Sequence, residues 1–331
     1  TGDNNVALGH KALYSNATAS TNIAVGYQAA YSNATGVGLT AFGANTLYAT
    51  TASDNCGIGT DNPGNYAAAL ESNTSGRFNT AVATGALGSN TTASNNTAVG
   101  HSALASNTTA NSNTAIGYNA QYSSTTATNN TMLGTNAGYT TTTGSGSVGI
   151  GKSALYYNTT GANNIALGYI ALLDNTTGSD NVAVGKSALE NNTTAADNTA
   201  IGSDAMTTNT TGTANVAVGT SSLSSNTTAS NNTAVGQASL ANNTTGSSNT
   251  AVGRGAGVAL TTGTSNTFLG KDSGKSQTTS NGSTFIGQDA GYHITTGAKN
   301  TIIGAYNGNQ GGLDIRTTSN RIVLSDGDGN P

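Results

Sequence analysis

The chain has no tryptophan, one cysteine and two prolines, and only 7% of its 331 residues are charged and 5% aromatic. Each shortage excludes something. A layered α/β core needs more large apolar side chains than this composition supplies. The lone cysteine, Cys56, allows no internal disulfide and no cysteine-based metal site. Its neighbours put it in an apolar slot, where it reads as a small buried hydrophobe. The near-absence of proline and of a Gly-X-Y period excludes a collagen helix. No apolar run reaches the ~20 residues of a membrane helix, so no membrane insertion is expected. Ten scattered Lys and Arg, with a net charge of −4, offer no basic footprint for nucleic acid and too little charge for disorder by self-repulsion.

What the chain has instead is 58 Thr, 45 Gly and 44 Asn. These are poor helix formers, so long helices are disfavoured. They are arranged in a repeat, N-T-A-V-G-x-x-A-L-x-x-N-T-T-G-x-x, of period 17. With its first Gly numbered position 5, that slot falls at Gly9, Gly26, Gly43 and Gly59, then at Gly100 and every 17 residues to Gly304. A degenerate copy with Ala83 in the slot brings the total to 18. One residue is missing before Gly59, and seven are inserted around Asp61–Ala67, including Pro63. From Gly100 onward 13 copies run without an indel. Such constancy is expected of coils in a stack, where any extra residue must bulge outward.

Seventeen residues are too few for a strand plus a useful helix, but enough for two short strands and two turns. The expected fold is therefore all-β, a parallel β-solenoid or β-roll of about 18 coils, with Asn and Gly supplying the turns. At ~4.8 Å per coil it would make a rod on the order of 85 Å long. Residues 1–305 form the repeat shaft, and 306–331 a C-terminal cap or transition segment. Position 4 is apolar in every copy, from Leu8 to Ile303, and position 9 is mostly Leu, as in Leu87 and Leu104. Positions 2 and 4 share one strand face and are expected to point into the coil. The Ala at position 3 and Gly at position 5 would then face outward. On that arrangement Phe268, Phe285 and Ile302, which hold position 3 in consecutive copies, form an exposed patch that only neighbouring chains could cover. They are the expected seam of a homotrimer, intertwined or side by side.

The motif N-T-A-V-G-x-x-A-L resembles the head repeats of trimeric autotransporter adhesins, whose A-V-G or A-I-G strand is likewise followed by x-x-A. The resemblance implies a left-handed parallel β-roll that associates as a trimer. The closing segment from Asn320 to Pro331 resembles segments of phage tail fibres that precede an intramolecular chaperone. Both likenesses imply an extracellular structural fibre with an adhesion or host-receptor-attachment role, a virion tail fibre or surface adhesin. Its partners would be further copies of itself and a host-cell glycan or protein receptor.

Sites for chemistry are few. Gly144-Ser-Gly-Ser-Val-Gly149 matches a dinucleotide fingerprint but sits in a turn between coils, without the required helix. Asp326, Asp328 and Asn330 resemble the start of a calcium loop but lack its glycine and its closing glutamate. Asp180 and Asp197 share a column one coil apart, nearer than a glycosidase pair needs. His10 and His101 share position 6 several coils apart. No enzyme activity, cofactor or metal is expected. Position 12 carries an Asn ladder that includes Asn158, Asn175, Asn192, Asn209, Asn226 and Asn243, each in an N-x-T sequon, expected at an exposed turn. Tyrosines recur at position 10 and suggest packing, or a stripe on which sugars stack. Paired Thr at positions 13 and 14 keep open an ice-binding function, and a self-assembling surface filament is a further alternative.

Overall fold

The computed structural model describes residues 2–62 and 66–331. Pro63, inside the expected insertion, lies outside the described residues. The chain forms two compact units, 1–164 and 165–331. Both are parallel β-solenoids, and there is no helix among the described residues.

Among its described residues the first unit has nine strands of three residues, β1 (Val6–Leu8), β2 (Ile23–Val25), β3 (Thr40–Phe42), β4 (Cys56–Ile58), β5 (Thr80–Val82), β6 (Thr97–Val99), β7 (Thr114–Ile116), β8 (Thr131–Leu133) and β9 (Val148–Ile150). Each pairs in parallel with the next, like on like, as Thr97 with Thr114 and Ala98 with Ala115. The second unit continues the same pattern from β10 (Ile165–Leu167) through β11 (Val182–Val184), β12 (Thr199–Ile201), β13 (Val216–Val218), β14 (Thr233–Val235), β15 (Thr250–Val252), β16 (Thr267–Leu269) and β17 (Thr284–Ile286) to β18 (Thr301–Ile303). A short hairpin, β19 (Asn309–Gln310) and β20 (Leu313–Asp314), follows. Then β21 (Ile322–Leu324) pairs with β18 as one further rung. Among the described residues the two units thus contain 9 and 10 rungs, one more than the period alone counts.

Each coil has one strand rather than two. The opposite side, the x-x-A-L segment, is a chain of tight turns. Its positions 7 and 9 take positive φ, as at Ser102 (57°) and Leu104 (52°). Leucine is strained there, but the backbone is held to the neighbouring coil: the Leu104 N–H donates to the Ala120 carbonyl at 3.0 Å. Position 5 favours glycine for a different reason, with Ala83 and Ser325 the exceptions. At Gly202 φ is 140°, and an added β-carbon would lie 2.6 Å from the carbonyl carbon of Gly219 in the next coil.

The faces are the reverse of the sequence expectation. The middle residue of almost every strand, position 3, is fully buried inside its own coil, while positions 2 and 4 are half-buried or exposed. The coil interior is narrow and filled by Ala at positions 3 and 8, Leu at position 9 and two columns of Asn. Small residues fit there because opposite walls are close. Where position 3 is large, position 9 is glycine: Met132 with Gly138, Phe268 with Gly274, Phe285 with Gly291. A β-carbon at Gly138 would come within 2.8 Å of the Met132 sulfur, and one at Gly291 within 2.6 Å of the Phe285 ring.

Both Asn columns belong to this interior. At position 1, Asn79 Oδ1 accepts the Asn96 backbone N–H at 3.0 Å, and Asn96 Nδ2 donates to the Ala110 carbonyl at 2.9 Å. At position 12, Asn107 Nδ2 donates to Asn90 Oδ1 at 3.0 Å and to the same Ala110 carbonyl at 3.1 Å. Most of these amides bond to the coil before or after them, which is how so many polar groups can be buried.

Candidate functional surface

Because position 3 points inward, positions 2 and 4 line the outside of every rung. In the first unit they make two parallel columns beginning with Val6 and Leu8, then Ile23 and Val25, Thr40 and Phe42, Cys56 and Ile58. Leu8 is 67% exposed and Phe42 55%. The second unit presents the same columns, with Leu269 45% and Leu324 67% exposed. No strand residue at position 2 or 4 is charged. Eight intervals of ~4.8 Å, about two residues wide, give on the order of 300 Å² of uncharged surface in the first unit alone, apolar along position 4 and mixed with Thr along position 2. That is about the size of the largest patch a typical soluble monomer exposes, which is often a functional one.

The residues expected to form a seam are elsewhere. Phe268, Phe285 and Ile302 have no exposed surface; they fill the coil interior, the two Phe rings 5.6 Å apart. The reason is the reversal of faces. The Asn ladder is likewise internal rather than exposed: Asn158, Asn175, Asn192, Asn209, Asn226 and Asn243 are all fully buried. Asn192, Asn209 and Asn226 each donate to the Asn one coil before, at 2.8 to 3.0 Å. Asn158 and Asn175 hold the carbonyls of Gly161 and Gly178 at 2.9 Å. Their sequons are closed to any modifying enzyme while the coil is folded. Cys56 is not a core residue; it sits half-exposed in the stripe, and partial burial pushes its thiol up.

The remaining sequence candidates separate. Asp180 and Asp197 are exposed at a left-handed turn position. The Asp326 carboxylate is occupied by its own loop, accepting N–H groups of Asp328 at 3.0 Å and Asn330 at 2.8 Å. The side-chain amide of Asn330, with those N–H groups, holds it below the usual carboxylate range. No three His, Cys, Asp or Glu side chains gather in a metal-holding group among the described residues. Thr hydroxyls at position 13 donate to the next coil, as Thr91 to the Thr108 carbonyl at 3.1 Å, whereas their position 14 neighbours are exposed. In the second unit Arg254, Lys271 and Lys275 surround the Asp272 carboxylate at 3.3 to 3.7 Å. The tyrosines at position 10 stack on one another in the first unit, Tyr14 on Tyr31 on Tyr48 at 5.1 Å and Tyr122 on Tyr139 on Tyr156 at 5.3 and 5.1 Å.

Fold and surface together define a class: a parallel β-solenoid with 17-residue coils and one bare, uncharged sheet face. No protein-family model matches the chain, and no curated protein or solved structure matches it either.

Proposed function

We propose that this protein is a structural shaft element whose copies join as a homotrimer through the stripe at positions 2 and 4. The observation that carries the reading is that the stripe is uncharged at every rung of both units and apolar at position 4 throughout. Burying the half of a Val, Ile or Leu that a single chain leaves exposed stabilises the assembly by about 1 kcal/mol per side chain. The gain recurs at each coil, and only a partner with the same coil spacing can match it rung for rung. A second copy of this chain has that spacing by construction. The threefold number follows the resemblance of the repeat to trimeric adhesin heads. An extracellular setting, as a tail fibre or surface adhesin that attaches to a host cell, follows from the same resemblance.

Sedimentation equilibrium tests it. The folded chain sediments at three times its 32.4 kDa mass, and Val218→Asp, which puts a charge in the stripe, shifts it towards one. A monomer at all accessible concentrations overturns the reading. The same face supports a second one, because Thr occupies position 2 at eleven rungs, a flat methyl-and-hydroxyl array of the kind that orders water into ice. Thermal hysteresis in the wild-type chain, absent when Thr233 and Thr250 are replaced by Lys, favours that function.

A further inference from the structure

The tyrosine stacking in the first unit is interrupted. Between Tyr48 and Tyr122 the rungs carry Glu71, Gly88 and Ala105 at position 10. Within a stack each ring face is covered by the next ring, so only a terminal ring has a free face. Tyr122 is such a ring: Tyr139 covers one side at 5.3 Å, and the rung on the other side offers only Ala105. A cleft of about 170 Å³ opens in this gap. Gly85, Gly88 and Ala105 line its floor and Tyr122 its end. Its side is Tyr66, at the return of the inserted loop, where Asn62 and Tyr66 exchange backbone hydrogen bonds at 3.0 and 3.2 Å. The Tyr66 ring is fixed edge-on to His101 at 4.4 Å. A β-carbon at Gly88 would lie 2.9 Å from that of Ala67, so the floor is as low as a polypeptide allows.

We propose that this cleft binds one neutral sugar ring of a glycan. A pyranose has a face of C–H groups and a rim of hydroxyls. The C–H face is complementary to the electron-rich face of a tyrosine, which Tyr122 alone in its stack presents towards the gap. The rim needs donors and acceptors, which Ser89 and Ser106 supply at the cleft's edge. Among the described residues no charged side chain lines the cleft, so none of them selects an acidic sugar. Its volume falls below the ~300 Å³ at which sites for larger organic ligands begin, and that suits a single ring. The inserted loop thereby acquires a purpose that the coil does not require. The proposal names the ligand class for the attachment role above; it does not depend on the seam, because the cleft lies at positions 6 to 11 and the stripe at 2 and 4.

Saturation-transfer NMR on the whole chain tests it, with the methyl glycosides of glucose, galactose, mannose, N-acetylglucosamine and N-acetylgalactosamine as probes and sialic acid as the acidic comparison. At least one neutral glycoside receives saturation, with affinity on the order of 1 mM. Tyr122→Ala weakens it roughly tenfold or more. Ala105→Tyr does the same by extending the stack into the gap, and it installs the residue that the next rung carries in that column, Tyr122, so the coil stays folded by circular dichroism. Tyr14→Ala, in the other stack, changes nothing. Three results overturn the proposal: no neutral glycoside receives saturation, only sialic acid does, or Ala105→Tyr binds as well as the wild type. Sedimentation of the same variants keeps this outcome separate from that of the seam, since all of them should assemble like the wild type.

Discussion

If position 3 and position 9 share one interior space, the residues there must be coupled, and the pair Met132 and Gly138 allows the coupling to be measured. Gly138→Leu puts a side chain against the Met132 sulfur, which lies 2.8 Å from the first added carbon. Overpacking of this kind costs about 1–3 kcal/mol, and the left-handed φ of 61° at that residue adds about 1 kcal/mol for any side chain. Met132→Ala leaves a cavity worth about 2–5 kcal/mol. The double variant recreates the Ala and Leu pair that neighbouring coils already carry as Ala98 and Leu104. The two costs should therefore cancel in part, with a coupling of at least about 2 kcal/mol against a sum of independent effects. Guanidinium unfolding of all four proteins, followed by far-ultraviolet circular dichroism at one chain concentration, gives the cycle. Additivity within about 0.5 kcal/mol would mean that the two side chains do not meet, and the assignment of faces would be wrong.

Other substitutions read the same geometry. Ala217→Asp places an unpaired carboxylate inside a coil and should cost several kcal/mol, whereas Val218→Asp, one residue on but outside, should leave the coil's own melting within about 1 kcal/mol of the wild type at chain concentrations where both are dissociated. Asn209→Ala removes donors to Asn192 and Gly212 and the acceptor of Asn226, and should lower stability by about 2–3 kcal/mol in the same unfolding assay. Asp314 is held at about 2 by hydrogen bonds from the Arg316 side chain and backbone. Its folded value lies below its unfolded one, so the charge-assisted contact is complete at neutral pH and is lost only as pH falls towards 2. Carbon-13 NMR titration should show that midpoint, and Arg316→Ala should move it back up towards 3.8. Deleting Asn198–Ala214, one full period, should leave the circular dichroism spectrum unchanged in shape, while deleting eight residues there should abolish it, because a half-period puts every following strand out of register.

Much of this fold is legible from spacing alone. A period that holds for 13 copies without an indel leaves little but stacked coils, and the parallel in-register ladders follow. The direction in which the strand faces is not legible from residue size. Val and Ile at positions 2 and 4 look like a core because larger apolar side chains are usually the buried ones. In a coil of 17 residues the interior already holds Leu at position 9, so position 3 opposite it takes Ala, and takes a larger side chain where position 9 is glycine. The clue was present within the chain, since Met132, Phe268 and Phe285 each coincide with a glycine six residues later, as two positions do when they compete for one space. The burial of the Asn ladder is hidden for a related reason. Asn is ordinarily a surface residue, and only the stack supplies each amide with a partner one coil away. Where the stack changes residue the ladder ends: Asn107 Oδ1 and Asn243 Oδ1 have no partner among the described residues, because Ser124 and Leu260 follow them in the column. The cleft at Tyr122 depends on where the inserted loop returns, and no periodicity encodes that.

The most direct test of the account uses the thiol that the chain already has. Cys56 is its only cysteine and sits at position 2 of β4, in the stripe. If three copies meet there in register, three thiols surround one axis at one height. A short-armed tris-maleimide added to the folded protein should then give a covalent trimer on a denaturing gel, and Val25→Asp together with Val82→Asp, which charge the stripe on either side, should abolish it. Cys56 that reacts readily with a monofunctional maleimide, while the trifunctional reagent yields only single chains, would contradict the seam.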